Sequence, residues 1–557
     1  MSNRKPRRYL SWIFRKVKKR IPILLFMTGI NMAVAFANIR FALSTKAVIN
    51  SAISGDMNAL KLSGLLMILL CLFLMLGNTL SQFLTVSMHE NLERDFKFSI
   101  LNTILNRDYN RISRYHSGDL IQRMDSDSAS VINGVMDYTA DLAGLLMSFC
   151  ASVAALLQIA PQFTLMCGAI VLLMTGSSLI LRNVLKQLSS ESSAANGRVR
   201  GFLHESISRL MLIQALDLSH EMLTRTTQVL DDRWSVRRRW RNLSIVSKFG
   251  ASMVGFVTYL ITILWCAYAL IDARITYGDV TALISLVATV RSSATALPHM
   301  IPRFMTITAA CDRIIELEEL PEQADSNLEN VRGIYDSVRG FTAQNLTFAY
   351  DREPVLQDVS MTIPKGGLTV IIGQSGIGKS TLLKLLLGLY HADSGSLFLD
   401  TQDGPLPIDR GTRALFSYAP QGNFLLSGTL RENLTYTNPS ATDEQIREAL
   451  YVSAMDEYVA SLPEGLDTRL LENGAGLSEG QAQRISLARA ILSGAPVLLL
   501  DEVTSALDAK TEQIVLERIT ALPGKTCIAV THRPAALALA DHIIEVTEKG
   551  MTISHCE

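Results

Sequence analysis

Cysteine is scarce and carries no pattern. The seven cysteines, Cys71, Cys150, Cys167, Cys266, Cys311, Cys527 and Cys556, are odd in number and lack CxxC spacing. They support neither a disulfide framework nor a zinc site. Four lie in apolar runs and read as small core residues. Net charge is lacking as well: 52 Lys and Arg stand against 52 Asp and Glu. Without a basic excess, nucleic acid is not an expected partner. No internal repeat is visible.

Hydrophobic residues are abundant, at 48% of 557. That length asks for more than one domain, and the composition suggests membrane spans joined to a soluble domain. Six apolar segments, at 23–47, 62–86, 131–159, 163–181, 246–271 and 280–304, are each long enough to cross a hydrocarbon core as a helix. The links at 51–58, 160–162 and 272–279 are short with few charges, whereas those at 89–130 and 182–248 are long and rich in Arg and Lys. The positive-inside tendency places the long links and both termini in the cytoplasm. The membrane domain is expected at 21–315, an acidic linker containing Pro321 at 316–330, and a soluble domain at 331–557.

Residues 1–20 carry nine Arg and Lys and no acid, with Trp12, Ile13, Phe14 and Val17 interleaved. This suits a short amphipathic helix on the anionic membrane lipid of the cytoplasmic leaflet. No small-residue cleavage site follows, and more spans do, so a secretory signal is not expected. With no peptidase-like segment ahead of the first span, the expectation is that the chain does not process a leader peptide.

The soluble half is organised around Gly373, Gln374, Ser375, Gly376, Gly378, Lys379, Ser380 and Thr381. This GxxxxGKS run follows an apolar strand pattern and precedes a helical one, which is the context of a phosphate-binding loop. The glycines let backbone N–H groups wrap around phosphates, and the next helix offers its positive end. Lys379 can reach β- and γ-phosphates, and Ser380 can place a hydroxyl on Mg²⁺. A second apolar strand ends in Asp501, suited to Mg²⁺, and Glu502 follows as a natural general base for an attacking water.

Between these motifs lies Leu477-Ser478-Glu479-Gly480-Gln481. Here the chain resembles the ATP-binding cassette (ABC) exporter family, whose signature is LSGGQ. The resemblance extends over the whole chain. It implies ATP and Mg²⁺ as cofactors, a six-helix transmembrane domain, and an α/β P-loop NTPase domain. It implies that Tyr350 stacks on adenine, that Gln421 senses Mg²⁺, and that Ser478, Gly480 and Gln481 bind the nucleotide held by another subunit. Asp508 matches the D-loop and His532 the switch histidine. Glu479 replaces a glycine, which leaves slower hydrolysis open. Tyr115 to Arg123 and Glu205 to Arg209 resemble the family's coupling loops.

The implied activity is ATP hydrolysis driving export or flipping of a substrate by alternating access. The implied unit is a dimer with two ATP sites. A homodimer is favoured because every motif is present; a related half-transporter is the alternative partner. An ATP-gated channel or regulator, and an ATPase merely anchored in the membrane, are the readings of a different class. Six spans exceed what an anchor needs. The cargo is not named by the sequence.

Arg40 lies well inside the first apolar segment and Arg291 near the middle of the sixth. A cation facing lipid there costs at least roughly 2.5 kcal/mol. Arg291 is therefore expected to face the bundle interior or a watery cavity. Either Asp56, Asp272 or Asp279 satisfies these arginines, with snorkelling as a further route, or they bind an anionic group on the cargo.

Overall fold

In a computed structural model the described residues are 5–555, except 327, 329–330, 351–352, 423, 472–475 and 548–549. Many side chains between 167 and 193 also lie outside the description. The chain forms two compact units: Met1–Leu101 with Gly118–Leu317, and Asn102–Ser117 with Glu318–Glu557.

The first unit is helical. It contains α1 (Lys5–Val17), α2 (Ile21–Ser54), most of α3 (Met57–Asn106), α5 (Pro161–Ser208), α6 (Ser219–Ile271) and α7 (Tyr277–Glu318). Between α3 and α5 a helical run, α4 (Ser117–Ile159), is interrupted by π-helical turns at Arg123–Asp127 and Asp137–Asp141. Among the described residues, five stretches are long and apolar enough to cross a membrane: Arg8–Ser54, Met57–Asn106, Ser117–Ile159, Ser219–Ile271 and Tyr277–Leu297. They carry five of the six expected segments. The other, 163–181, is helical within α5, and most of its side chains fall outside the described ones. With 50 residues, α3 runs about 75 Å, far more than a bilayer core requires.

Helix ends follow their local chemistry. Pro22 and Pro161 stand in the first turns of α2 and α5, where a missing N–H costs nothing. Gly55, at φ 70°, closes α2. One apolar cluster joins Ile39, Leu156, Phe163, Cys266, Leu283 and Leu286, and Phe163 and Trp265 have ring centroids 4.7 Å apart. At one end of α2, Lys46 pairs with Asp279 at 2.6 Å. There Asn50 accepts from the Gly278 N–H at 2.9 Å. A side chain at 278 would lie 2.3 Å from the Lys46 carbonyl oxygen, so glycine is what lets α7 approach α2.

The basic segment at the N-terminus forms the expected helix, and its Tyr9 and Trp12 are buried in the unit. Tyr9 donates to Asp312 (2.7 Å), Trp12 packs edge-on against Phe96, and Arg20 pairs with Asp95 at 3.0 Å. Leu10 and Phe14 remain exposed.

The second unit is α/β. A mixed six-stranded sheet has the order β10-β9-β3-β8-β7-β6. Its strands are β3 (Gly367–Gly373), β6 (Phe416–Ala419), β7 (Val497–Asp501), β8 (Thr526–Val530), β9 (His542–Thr547) and β10 (Gly550–His555). All pairings but β9 with β10 are parallel. Strands β7 and β8 are buried throughout, as continuous apolar parallel strands should be. A four-stranded antiparallel sheet, order β2-β1-β4-β5, is built from β1 (Val338–Ala349), β2 (Pro354–Pro364), β4 (Ser394–Thr401) and β5 (Gly404–Pro407). Helix α8 (Lys379–Leu386) is packed into the core through Leu382, Leu383, Leu385 and Leu386, together with Phe341, Phe348 and Leu399.

Residues 102–117 belong to this second unit. Asp108 caps the short helix Tyr109–Ile112 by accepting from the Asn110 N–H. Arg107 pairs with Glu322 at 2.9 Å, and Arg410 donates to Asn106 at 2.9 Å. The stretch expected as linker is held by Arg107 at Glu322 and by Arg413, which donates to Gln323 at 3.0 Å.

Candidate functional site

The carboxyl end of β3 turns through Gly373, Gly376 and Gly378, all with positive φ, into α8. A side chain at Gly378 would meet Leu356 at 2.7 Å, and one at Gly373 the Val546 carbonyl at 2.5 Å; at Gly376 the space is open. The loop therefore packs tightly on the protein side and leaves its other side clear. Lys379 curls back and donates to the carbonyls of Gly373 (2.7 Å) and Gln374 (2.8 Å). Burial lowers its pKa, against the opposing pull of Glu502 and Asp501. These are the contacts of a lysine held at the mouth of an anion cradle.

Two carboxylates enter from the end of β7. Asp501 is buried and accepts from Ser380 Oγ at 2.8 Å. Its other oxygen accepts from the Tyr418 hydroxyl at 3.0 Å. Glu502 follows at φ 50°, in the left-handed region that non-glycine residues seldom adopt. Its N–H donates to the Val530 carbonyl (3.0 Å), and its carboxylate accepts from Gln421 Nε2 at 2.6 Å. Ser380 and Asp501 are hard oxygen donors in contact, a pair that fits Mg²⁺. Tyr350 exchanges a hydrogen bond with Thr381 at 3.0 Å, so its ring lies beside the first turn of α8.

The other motif residues gather elsewhere. Ser478 caps α9 (Glu479–Leu492) in a reciprocal box with Gln481. Glu479, the departure from the signature, is exposed in the first helical turn, where a negative charge favours the helix. A side chain on Gly480 would lie 3.0 Å from the Ala506 carbonyl, so the signature rests on the D-loop. Asp508 caps α10 (Ala509–Thr520), accepting from the Thr511 N–H at 3.0 Å. His532 is exposed. Its neighbour Arg533 donates to the carbonyls of Ser505 (2.5 Å) and Leu507 (3.4 Å), tying the switch loop to the D-loop. Among the described residues no hydrogen bond joins the signature to the phosphate loop.

Sequence reasoning missed Tyr418, Arg533 and an aromatic cluster. Tyr390 lies against Phe348 and Tyr350, both at 5.3 Å, and against Tyr109 at 5.5 Å. Burial pushes the Tyr390 hydroxyl up to about 12. Arg114 donates to the Tyr350 carbonyl at 3.2 Å. No local spacing announces these contacts.

In the helical unit two of the three acids offered as partners for the membrane arginines pair with other cations, Asp279 with Lys46 and Asp272 with Arg274, and the third, Asp56, accepts from the N–H groups of Asn58 and Ala59 at 3.0 Å. Arg40 and Arg291 are exposed, and among the described residues neither has an ion pair. The Arg291 guanidinium lies over Gly255 of α6, 2.5 Å from where a β-carbon would stand.

Residues 24–294 match the ABC transporter transmembrane region, and residues 356–505 match the ABC transporter ATP-binding family. The Bacillus subtilis ATP-binding/permease protein YgaD is 30% identical over 78% of this chain and 76% of its own length. The mouse mitochondrial ATP-binding cassette sub-family B member 10 is 28% identical over 89% of this chain and 70% of its own length. For a toxin RTX-I translocation ATP-binding protein of Actinobacillus pleuropneumoniae, the chain spans about half, 55%. A solved bacterial Atm1-family ABC exporter with ATP bound superposes with a TM-score of 0.79 at 19% identity, covering 97% of this chain and 95% of that one. With its membrane and ATP-binding regions both matched, the chain belongs to the ABC transporter family, as an ATPase coupled to transport across a membrane.

Proposed function

We propose that two copies of this chain form an exporter that moves its substrate by alternating access, with two ATP molecules held between them. The observation that carries this reading is the separation of half-sites. Lys379, Ser380, Asp501, Glu502 and Gln421 converge on the phosphate loop, whereas Gly480 rests on the D-loop and Ser478 caps the helix that carries it. A second copy would bring its Ser478 and Gly480 over the nucleotide held by the first.

In that arrangement Lys379 leaves the loop carbonyls for the β- and γ-phosphates. Ser380 and Asp501 would hold Mg²⁺, with Gln421 beside them. When bound, Mg²⁺ neutralises charge that builds on the phosphate oxygens. Glu502 takes a proton from the attacking water, and Gln421 holds that carboxylate in place beforehand. Tyr350 stacks on the base, and His532 contacts the γ-phosphate from its exposed loop. The helical unit supplies the pathway, with Arg40 and Arg291 facing the substrate.

Both termini and the ATPase unit face the cytoplasm on this reading, because the long links are the basic ones. Cysteines introduced at Ser54 and Thr276 then label from outside, and one at Ser193 only from inside. For the assembly, the chain is expressed alone, purified and tested for mass and ATP turnover. A dimer with full turnover is expected. A monomer hydrolysing at the same rate would refute the shared site, and an inactive chain rescued by a second gene product would replace the homodimer with a heterodimer.

A further inference from the structure

Helix α6 is continuous from Ser219 to Ile271. One of its faces changes character along its length. Thr258, Thr262, Cys266 and Ala269 are buried, and at 3.6 residues per turn they share a face with Gly255. Arg291 lies over that glycine. Continuing toward the N-terminus of α6, the same face presents Lys248, Arg241, Arg237 and Arg233. Arg237 is about five turns, roughly 27 Å, from Gly255 and directly in line with it. Lys248, Arg241 and Arg237 are exposed. The helix face that is packed at one end is therefore open and basic at the other, and Arg291 sits where the change occurs.

The basic end is concave. A groove of about 530 Å³ is lined by Asp231, Arg233, Trp234, Arg237, Arg238 and Arg241, among others. Asp231 is the one acid lining it among the described residues, against four arginines. The Nε of Arg233 is buried without a hydrogen-bond partner. Trp234 is 61% exposed, and the Arg241 guanidinium lies 5.8 Å from its ring centre. Other cations of this unit are paired, as at Lys46–Asp279, Arg274–Asp272 and Arg303–Asp137. Among the described residues Arg237, Lys248 and Arg291 have no carboxylate partner. Clustered guanidiniums with little counter-charge repel one another, and an anion drawn to them from solution relieves that repulsion.

We propose that this face of α6 is the track for an anionic cargo: an organic molecule with a ring or apolar body and at least two acidic groups. The inference rests on the export reading and on Arg291 facing the substrate. Arg233, Arg237 and Arg241 capture the anion, Trp234 takes its ring face, Lys248 bridges the interval, and Arg291 receives an acidic group against Gly255. Glycine at 255 matters because any side chain would displace the guanidinium from that shelf.

The test uses the full chain in neutral phosphatidylcholine proteoliposomes, with ATP-dependent uptake of calcein, a fluorescent polycarboxylate, compared with rhodamine 6G, a ring-bearing cation. Calcein is expected to be taken up and rhodamine 6G not. Arg291→Gln should lower calcein uptake by about tenfold or more, the range for losing a charge-assisted contact. Arg291→Lys should restore part of it. Gly255→Val should mimic the loss while keeping the charge, with size-exclusion profiles confirming folding in each case. Arg237→Gln combined with Arg241→Gln should raise the KM for calcein by about fivefold with little change in maximal rate, and high salt should erase that difference.

Uptake of rhodamine 6G without calcein would overturn the anion track and leave the exporter reading standing. Unchanged calcein uptake by Arg291→Gln would overturn it too. ATP hydrolysis with no uptake of either dye would likewise overturn the anion track, while the exporter reading is judged separately by the dimer and turnover test above. If the Arg237 and Arg241 substitutions act only after phosphatidylglycerol is added, the arginines anchor lipid, and the cargo assignment is wrong.

Discussion

The two units treat charge in opposite ways. In the nucleotide-binding unit the groups that converge beside the phosphate loop already have partners within about 3 Å: Lys379 on two carbonyls, Ser380 and Tyr418 on Asp501, Gln421 on Glu502. In the helical unit Arg291 lies against a bare backbone and Arg237 faces open space. A site for one fixed reaction gains from holding its dipoles ready, because nothing has to reorganise when the reaction occurs. A site whose ligand brings the counter-charge gains from leaving cations unpaired, since prior pairing would have to be broken.

That contrast can be broken at several points. The largest effect is expected at Glu502. Glu502→Gln should retain ATP binding and lose about two or more orders of magnitude in turnover. Near-normal phosphate release by the purified variant would remove Glu502 as the base. Next comes Tyr418, whose hydroxyl orients Asp501. Tyr418→Phe should cost about tenfold in turnover at limiting Mg²⁺, the scale of one hydrogen bond to a charged group, and recover as Mg²⁺ is raised. A loss independent of Mg²⁺ would place Tyr418 in packing alone. Tyr109→Leu removes the outer ring of the aromatic cluster behind Tyr350. It should raise the KM for ATP by about two- to threefold, in keeping with one aromatic pair, and leave the maximal rate nearly unchanged.

The smallest effect concerns Asp508. The Thr511 hydroxyl, and after it the Thr511 N–H, hold its carboxyl below its ordinary value. A carboxyl with a depressed folded pKa stabilises the fold above its unfolded value near 4, and that stability is lost as pH falls through the folded value. The Tm of Asp508→Ala should therefore lie slightly below that of the parent at neutral pH, and the gap should close in acid. A gap that widens in acid would mean that Asp508 is not acting as the cap of α10.

Motifs made of neighbours were readable in the sequence. The phosphate loop, Asp501 with Glu502, and the Ser478–Gln481 box all depend on backbone geometry a few residues long, so residue order reveals them. The spans were readable because a bilayer demands long apolar runs. What could not be read depends on distant partners. Tyr418 meets Asp501 across 83 positions and Arg114 meets Tyr350 across 236. The acids offered for Arg40 and Arg291 were plausible by depth, but Lys46 and Arg274 lie closer to two of them.

The placement of residues 102–117 in the nucleotide-binding unit has a consequence for biosynthesis. This stretch leaves the ribosome early, yet Glu322, Tyr350, Tyr390 and Arg410, which hold it, follow more than two hundred residues later. At about 5–20 residues per second the wait is on the order of tens of seconds. Throughout that interval Tyr109 and Ile112 lack their cover while later spans are still entering the bilayer. Premature termination before the ATPase segment would thus leave a membrane-inserted product displaying this loop, a ready target for quality-control proteolysis.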